Sequence, residues 1–285
     1  MCYQANFDGT HYQTLHQTIV PSNNANHPFF YFSNPCDIAI GILTDGFTPF
    51  KWCRQTCWPI IAVIYNLAPE LHFLKPHCLD LGAIPGPKKH WDTDSFMWPI
   101  IEEFSKLATG IKAWDACTML YFILQAYLIL LFGYIPAIAL LMCMKGPNGI
   151  SPCWTCKIKG ICSSSSCSAT HYVSLQWDMC IQADPPHYDA SELPIWTHDE
   201  FIEQADAVQL APTDAVHKAL AKKYGIKGRC ILASIPAISF PESFPFNFMH
   251  LIWENLIPNL ISFWFCTFRK MPGHCQGTYF QLGSS

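Results

Sequence analysis

Asp45 closes an apolar run at 38–43 and is followed by Gly46, which permits a tight turn. An acid at that place can lift its carboxylate above a sheet edge, where a divalent ion can bind; the ordinary alternative is a turn residue. Glu254 lies inside a late apolar segment, four residues after His250, so the two share one helical face. In apolar surroundings a Glu and a His want each other or a metal. Two-metal phosphodiester chemistry uses three acidic side chains to hold ions about 3.5–4 Å apart, one activating the attacking oxygen and one the leaving oxygen. Asp115 and Asp80 are open choices for a third acid, and neither is singled out by its neighbours.

A second group is richer in sulfur. Cys153 and Cys156 have the two-residue gap that lets both sulfurs reach one metal, and Cys162, Cys167 and His171 follow closely. Zinc takes four thiolate or imidazole ligands in a tetrahedron. The segment holds little apolar material of its own, so a metal would supply stability. Cys153, Cys156 and His171 lead the candidates, with Cys162 or Cys167 as the fourth. A Ser-rich loop with coincidental cysteines is the competing account. A redox pair fits less well, because no thioredoxin-like strand–helix context surrounds it.

The elements that must position these groups follow from the pattern. Residues 1–36 read as a loop-rich lead-in, with Pro21, Asn23, Asn24, Asn26 and Pro28. Strands are expected near 38–43, 60–65 and 71–81, then a turn at 85–89. A helix is predicted over 94–108, capped by Asp94 or Ser95, with Phe96, Ile100, Ile101, Phe104 and Leu107 on one face. Residues 146–197 read as an irregular insertion. Thr197 and Glu200 have capping-box spacing for a helix over 198–210. A second helix over 213–224 is closed by Gly225. A long apolar helix over 248–265 must absorb Pro258, and the tail from Arg269 reads as a fraying end. The order of strands and helices suggests α/β.

Hydrophobic residues make up 51% of the 285 and charged residues only 13%, against about 25% charge in ordinary globular chains. A large core follows, and a membrane segment must be considered. The run 119–144 has no charge, and about 20 such residues span a bilayer. Gly133 and Pro136 interrupt it, and the alternative divides it into a buried strand near 125–133 and a helix from 136. Net charge is −4, so any grip on nucleic acid must come from local focusing of the 17 Lys and Arg, or from another domain. The first 20 residues are polar and lack the apolar core of a secretory leader, and the 15 cysteines read mainly as buried thiols of a reducing compartment.

Ten stretches of the sequence form a recognisable series. They are FDGTHY at 7–12, LTDGFTPFK at 43–51, TCWPIIAVIYNLAPE at 56–70, GAIPGPKK at 82–89 and DSFMWPIIEE at 94–103. The series continues with IPAIALLMCMKGPNGISPCWTCKIKG at 135–160, THYVSL at 170–175, THDEFIEQA at 197–205, KKYGIKG at 222–228 and FPFNFMHLIWENLIPNLI at 244–261. With these the chain resembles transposases of the CACTA (En/Spm-like) superfamily, in the form found in mushroom-type (basidiomycete) fungi.

The resemblance implies a ribonuclease H-like mixed sheet with flanking helices and a Cys/His-bearing insertion. It implies an Asp-Asp-Glu triad that binds Mg²⁺, cuts DNA at transposon ends and joins the 3′ hydroxyl to a target. LTDGF puts the first acid at Asp45, and HLIWEN the third at Glu254, the two Mg²⁺ candidates. The second acid belongs to a motif like G-D-I-P-A, which here reads Gly133-Tyr134-Ile135-Pro136-Ala137. Tyr134 therefore stands in the place of the acid, with Asp115 as fallback if the registration differs. Asn247 also stands where Asp is typical. Cys153, Cys156 and His171 match the family's insertion, a structural Zn²⁺ site. The organisation expected is 1–36 lead-in, 37–145 first part of the core, 146–197 zinc-binding insertion, 198–268 helical region with Glu254, and 269–285 tail. Against the family the chain starts and stops abruptly, so a partial copy is expected, with DNA-end recognition carried in flanking sequence. The expected protein is a catalytically impaired transposase-derived domain whose partner is DNA and whose place of work is the nucleus. A homo-oligomer is a possible assembly, and no membrane is expected. A non-catalytic zinc-bearing remnant that binds DNA or protein, and a membrane protein spanning 119–144, are the alternatives.

Overall fold

Three runs of branched apolar residues make a sheet, and a fourth completes it. In the computed structural model, the residues described are 9–21, 29–52, 55–86, 92–147, 149–162, 171–172 and 188–265, with only the backbone for 161, 162, 171, 172, 250 and 263. A short helix α1 (Thr10–His16) precedes β1 (Ile38–Thr44), β2 (Cys57–Ile64) and β3 (Cys78–Pro85). Helix α2 (Asp94–Thr109) follows, then a hairpin of β4 (Ile111–Asp115) and β5 (Leu120–Leu124), and then β6 (Ala126–Gly133) and helix α3 (Ile135–Leu141). The main sheet has the order β3-β2-β1-β6, with β1 antiparallel to β2 and parallel to β6. A parallel neighbour requires a crossover, and α2 lies within it.

The chain is a mixed α/β protein, and the apolar run 119–144 is not one helix. It contains β5, β6 and α3. Tyr127, Leu128, Ile129 and Leu131 are at most 2% exposed. A strand covered on both faces reads as continuously apolar, which is why hydropathy alone also allowed a membrane span. Among the described residues no helix is long and apolar enough to cross a membrane.

Several boundaries differ from the pattern-based expectation. The third strand begins at Cys78, because Pro69 and Pro76 sit in two short 3₁₀ turns at Pro69–Leu71 and Lys75–His77. Helix α2 has Thr93 at its N-cap without a side-chain cap bond, while Asp92 accepts the Ser95 N–H and the Ser95 hydroxyl. Asp94 instead accepts the Ile231 N–H at 3.1 Å. The buried face of α2 is Met97, Ile101 and Phe104, and Phe96 is 41% exposed. The lead-in is not only loop: Leu15, Val20, Tyr31 and Phe32 join the core. The predicted turn at 85–89 lies partly outside the described residues.

Two later helices fit their local signals. In α4 (His198–Gln209) Thr197 and Glu200 complete the capping box, and α5 (Asp214–Tyr224) is capped by Thr213 and closed by Gly225 in the left-handed region at φ 75°. Strand β7 (Ile161–Cys162) pairs with β8 (His171–Tyr172). The chain divides into two units, Met1–Pro245 and Phe246–Ser285. In the second unit the expected single helix is a π-helical stretch, Met249–Leu256, followed by α6 (Ile257–Trp264). Pro258 has no N–H for the ladder, so the change of register beside it has a direct cause.

Candidate functional site

Strand register brings Asp45 and Tyr134 to neighbouring positions. β1 and β6 run parallel, and their last pair is Thr44 with Gly133. An irregularity at Ile40/Gly41 adds one residue on β6, pairing Gly41 with Leu130 instead of Ile129. Without that bulge Thr44 would face Phe132. With it, Asp45 and Tyr134 leave adjacent strands at the same end of the sheet.

The local chain explains why the strands stop there. Thr44 pairs with Ile60, and Phe47 with Cys57, so the intervening register sets Asp45 across from Pro59. Pro59 has no N–H to give, and the ladder opens at that point. The Asp45 carboxylate accepts the Gly46 N–H at 2.7 Å. A Cβ on Gly46 would stand 2.6 Å from the Trp58 ring, and one on Gly133 would stand 2.7 Å from the Thr44 carbonyl oxygen. Both glycines are thus required by close approach on either side of the site.

Tyr134 is half-buried and holds the N-cap position of α3 in extended conformation, with no side-chain cap bond. Its carbonyl accepts the N–H groups of Ala137 and Ile138 at 2.8 and 3.0 Å. An aspartate would serve this position as a good cap, and a tyrosine does not. The strand ends therefore bring together one carboxylate and one phenol. A phenol oxygen lacks the charge of a carboxylate and is a poor ligand for Mg²⁺, which favours carboxylate and water oxygens. These two side chains do not fit a two-ion site.

The remaining acids belong to other elements. Asp115 is in the separate hairpin, where its two carboxylate oxygens take the Cys117 N–H at 2.8 Å and the Thr118 hydroxyl at 2.7 Å. These bonds hold its pKa below the ordinary carboxylate value, Thr118 contributing most. Asp80 is exposed on β3 and accepts the Gly82 N–H at 3.1 Å. Glu254 belongs to the second unit, where it is exposed on the π-helical stretch, and the side chain of His250, its expected helical neighbour, lies outside what is described. Asn247 accepts the Met249 N–H at 3.1 Å at the start of that stretch. Asp37, the buried acid at the opposite end of β1, holds the Asn34 loop through the Asn34 N–H, and burial raises its pKa.

The cysteine turn is built into the first unit. The Cys153 sulfur accepts the N–H groups of Thr155 and Cys156, each at 3.4 Å. A hydrogen bond from the Cys156 thiol, followed by these N–H groups, holds Cys153 well below the ordinary thiol value, and burial opposes the shift. The same pairing pushes the Cys156 thiol up. The Trp154 indole donates to the Phe244 carbonyl at 2.8 Å, and Cys156 bridges to Ile195. Cys162 stands directly opposite His171 in the β7–β8 pair. Cys167 lies outside the described residues. Among the described residues no three metal-ligating side chains form a group.

Sequence reasoning passed over two polar features. His11 Nε2 lies 3.1 Å from the Ala237 carbonyl and 3.1 Å from the Ser243 hydroxyl, and burial lowers its pKa. The carbonyl can only accept, so the proton sits on Nε2, and the neutral ring ties α1 to the core. A cleft of about 740 Å³ opens at the start of α2, with Asp92, Asp94, Trp98, Arg229 and Cys230 in its lining. Neither carried a sequence signal, because their partners are more than 100 residues away in the chain.

No curated protein matches the chain. The sequence profile of Transposase_21, transposase family tnp2, matches residues 21–177, just over half of the chain and a span that holds Asp45, Tyr134 and the cysteine turn. The chain belongs to the transposase family tnp2.

Proposed function

We propose that this chain is a transposase domain of the Asp-Asp-Glu, ribonuclease H-like type, of CACTA character and fungal kind, in which strand cleavage has been lost. The observation that carries the reading is the parallel pairing of Thr44 with Gly133, which sets Asp45 beside Tyr134. By their sequence motifs Asp45, Tyr134 and Glu254 are the positions of the three acids, and Asp115 is the fallback second acid. The sheet order β3-β2-β1-β6, with three antiparallel strands and a fourth parallel to the first, supports the ribonuclease H-like assignment. Tyr134 offers no charge to a metal, so cutting and joining of transposon ends fails at the binding of the ions. The partner is DNA and the place of work is the nucleus.

Nicking of element-end DNA in Mg²⁺ or Mn²⁺ tests this. The natural chain should give none, and Tyr134→Asp should gain activity. Cleavage by the natural chain overturns the reading. The variant should also be at least as stable, because an aspartate can cap α3, by about 1 kcal/mol.

A second reading rests on the sulfur of Cys153. Two backbone N–H groups aimed at it favour the thiolate, the form that zinc binds. Cys153, Cys156 and His171, with Cys162 or Cys167, would hold the ion, which would cross-link a segment with little apolar sequence of its own. The chain would then act as a zinc-bearing remnant that binds DNA or protein without cutting. Metal content of the purified protein, and its loss in Cys153→Ser, checks the site.

A further inference from the structure

We propose that β5 (Leu120–Leu124) is a pairing edge, and that its occupant is the β5 strand of a second copy of this chain, antiparallel across a two-fold axis. This goes beyond the transposase reading and does not rest on it.

An open strand edge offers a row of backbone N–H and C=O groups to any other strand, and proteins guard such edges with charge, proline, a bulge or a covering segment. The main sheet is guarded on both sides. β3 carries the exposed Asp80 and ends at Pro85. It is also bulged, since Ile60 pairs with Gly82 and Ile61 with Asp80, which leaves Leu81 over. β6 is covered where the Leu131 N–H donates to the Ser243 carbonyl at 2.8 Å. In the hairpin, β4 holds Lys112 and Asp115. β5 and the turn residue before it read Met-Leu-Tyr-Phe-Ile-Leu over 119–124, with no charge, proline or glycine. Among the described residues β5 pairs with β4 alone. Its side chains are open as well: Trp114, Met119, Leu120, Tyr121 and Ile123 are 49–65% exposed. At about 200 Å² for a large side chain they leave on the order of 500 Å² of apolar surface on one hairpin, as much as the largest patch of an ordinary monomer.

Charge and symmetry select the second copy. An antiparallel pair of identical strands is self-complementary about a two-fold axis. Full overlap puts Phe122 on the axis, Tyr121 opposite the partner's Ile123, and Leu120 opposite the partner's Leu124. Aromatic and branched apolar pairs of this kind stabilise a ladder. The same pairing through β4 would set Ile111 against Asp115 and draw a carboxylate into an apolar contact. Once β5 has met β5, the outer edges of the joined sheet are the two β4 strands, and their Lys112 and Asp115 stop further growth. The pairing therefore closes at two copies instead of running on as a fibre. The apolar area falls short of the about 800 Å² per partner of a standard interface, so the dimer is weak and depends on concentration. In dilute protein the hairpin stays open, and its substitutions leave the stability of the protomer nearly unchanged.

Sedimentation velocity of the full chain at roughly 1 to 100 μM covers such affinities. Reducing agent is present throughout, because Cys117 is exposed in the hairpin turn. The natural chain should pass from monomer to dimer and no further. Tyr121→Lys and Ile123→Glu should each weaken the dimer by on the order of tenfold or more, since a charge then enters the ladder at two symmetric places. Mixing the two variant chains should restore a heterodimer, because the changed positions face each other across the axis with opposite charge. That rescue also separates pairing from folding. Leu79→Lys, on the guarded edge strand β3, should leave the dimer as it is. A natural chain that stays monomeric, even if it then binds lipid vesicles or another protein, overturns the proposal. Assemblies that grow beyond two copies, equal weakening by Leu79→Lys, or no heterodimer from the mixture overturn it as well.

Discussion

Leu120–Leu124 and Ala126–Gly133 are separated by one residue and are about equally apolar, yet they have opposite fates. In the hairpin strand Leu120, Tyr121 and Ile123 are 65%, 63% and 54% exposed; in β6 Tyr127, Leu128 and Leu131 are at most 1%. The difference lies in the neighbours. β6 pairs with β1 in a four-stranded sheet and is packed by α2 and α3, whereas among the described residues β5 pairs with β4 alone. A hydrophobic sequence does not bury itself; a partnered strand is buried. The hairpin relies on cross-strand contacts such as Trp114 with Tyr121, ring centres 4.9 Å apart, and Lys112 over the Tyr121 ring at 4.2 Å.

The contrast can be broken by stability measurements. Leu131→Ala removes a fully buried side chain and should cost about 2–5 kcal/mol by denaturant unfolding. A cost below about 1 kcal/mol would mean that β6 is not the centre of the core. Gly41→Ala on β1 is the opposite insult. Its Cβ would stand 2.5 Å from the Tyr65 ring, and the overpacking should cost about 1–3 kcal/mol. Ile123→Thr in the hairpin should change stability by no more than about 0.5 kcal/mol, as an exposed strand position tolerates threonine. A destabilisation as large as that of Leu131→Ala would show that the hairpin face is covered in solution.

The same division separates what was legible in the sequence from what was not. The α4 capping box and the Gly225 stop are contacts within a few residues, and their spacing identified them. The hairpin went unread because the apolar run that includes β5 has no polar break at Gln125 strong enough to mark a boundary. The start of β3 shifted because two prolines shaped the preceding turns, and the seating of Asp94 under Ile231 depended on a residue 137 positions away.

By itself the sequence determined a large core, the ends of α4 and α5 and the identity of the residues available for chemistry, since apolar content, cap spacing and side-chain type are local properties. Only the tertiary structure decided which strand lies beside which, and so that Asp45 and Tyr134 leave adjacent strands at one end of the sheet. The physical reason is register: one added residue in β6 moves every later pair by a step, and no residue announces that step from its own neighbours in the chain.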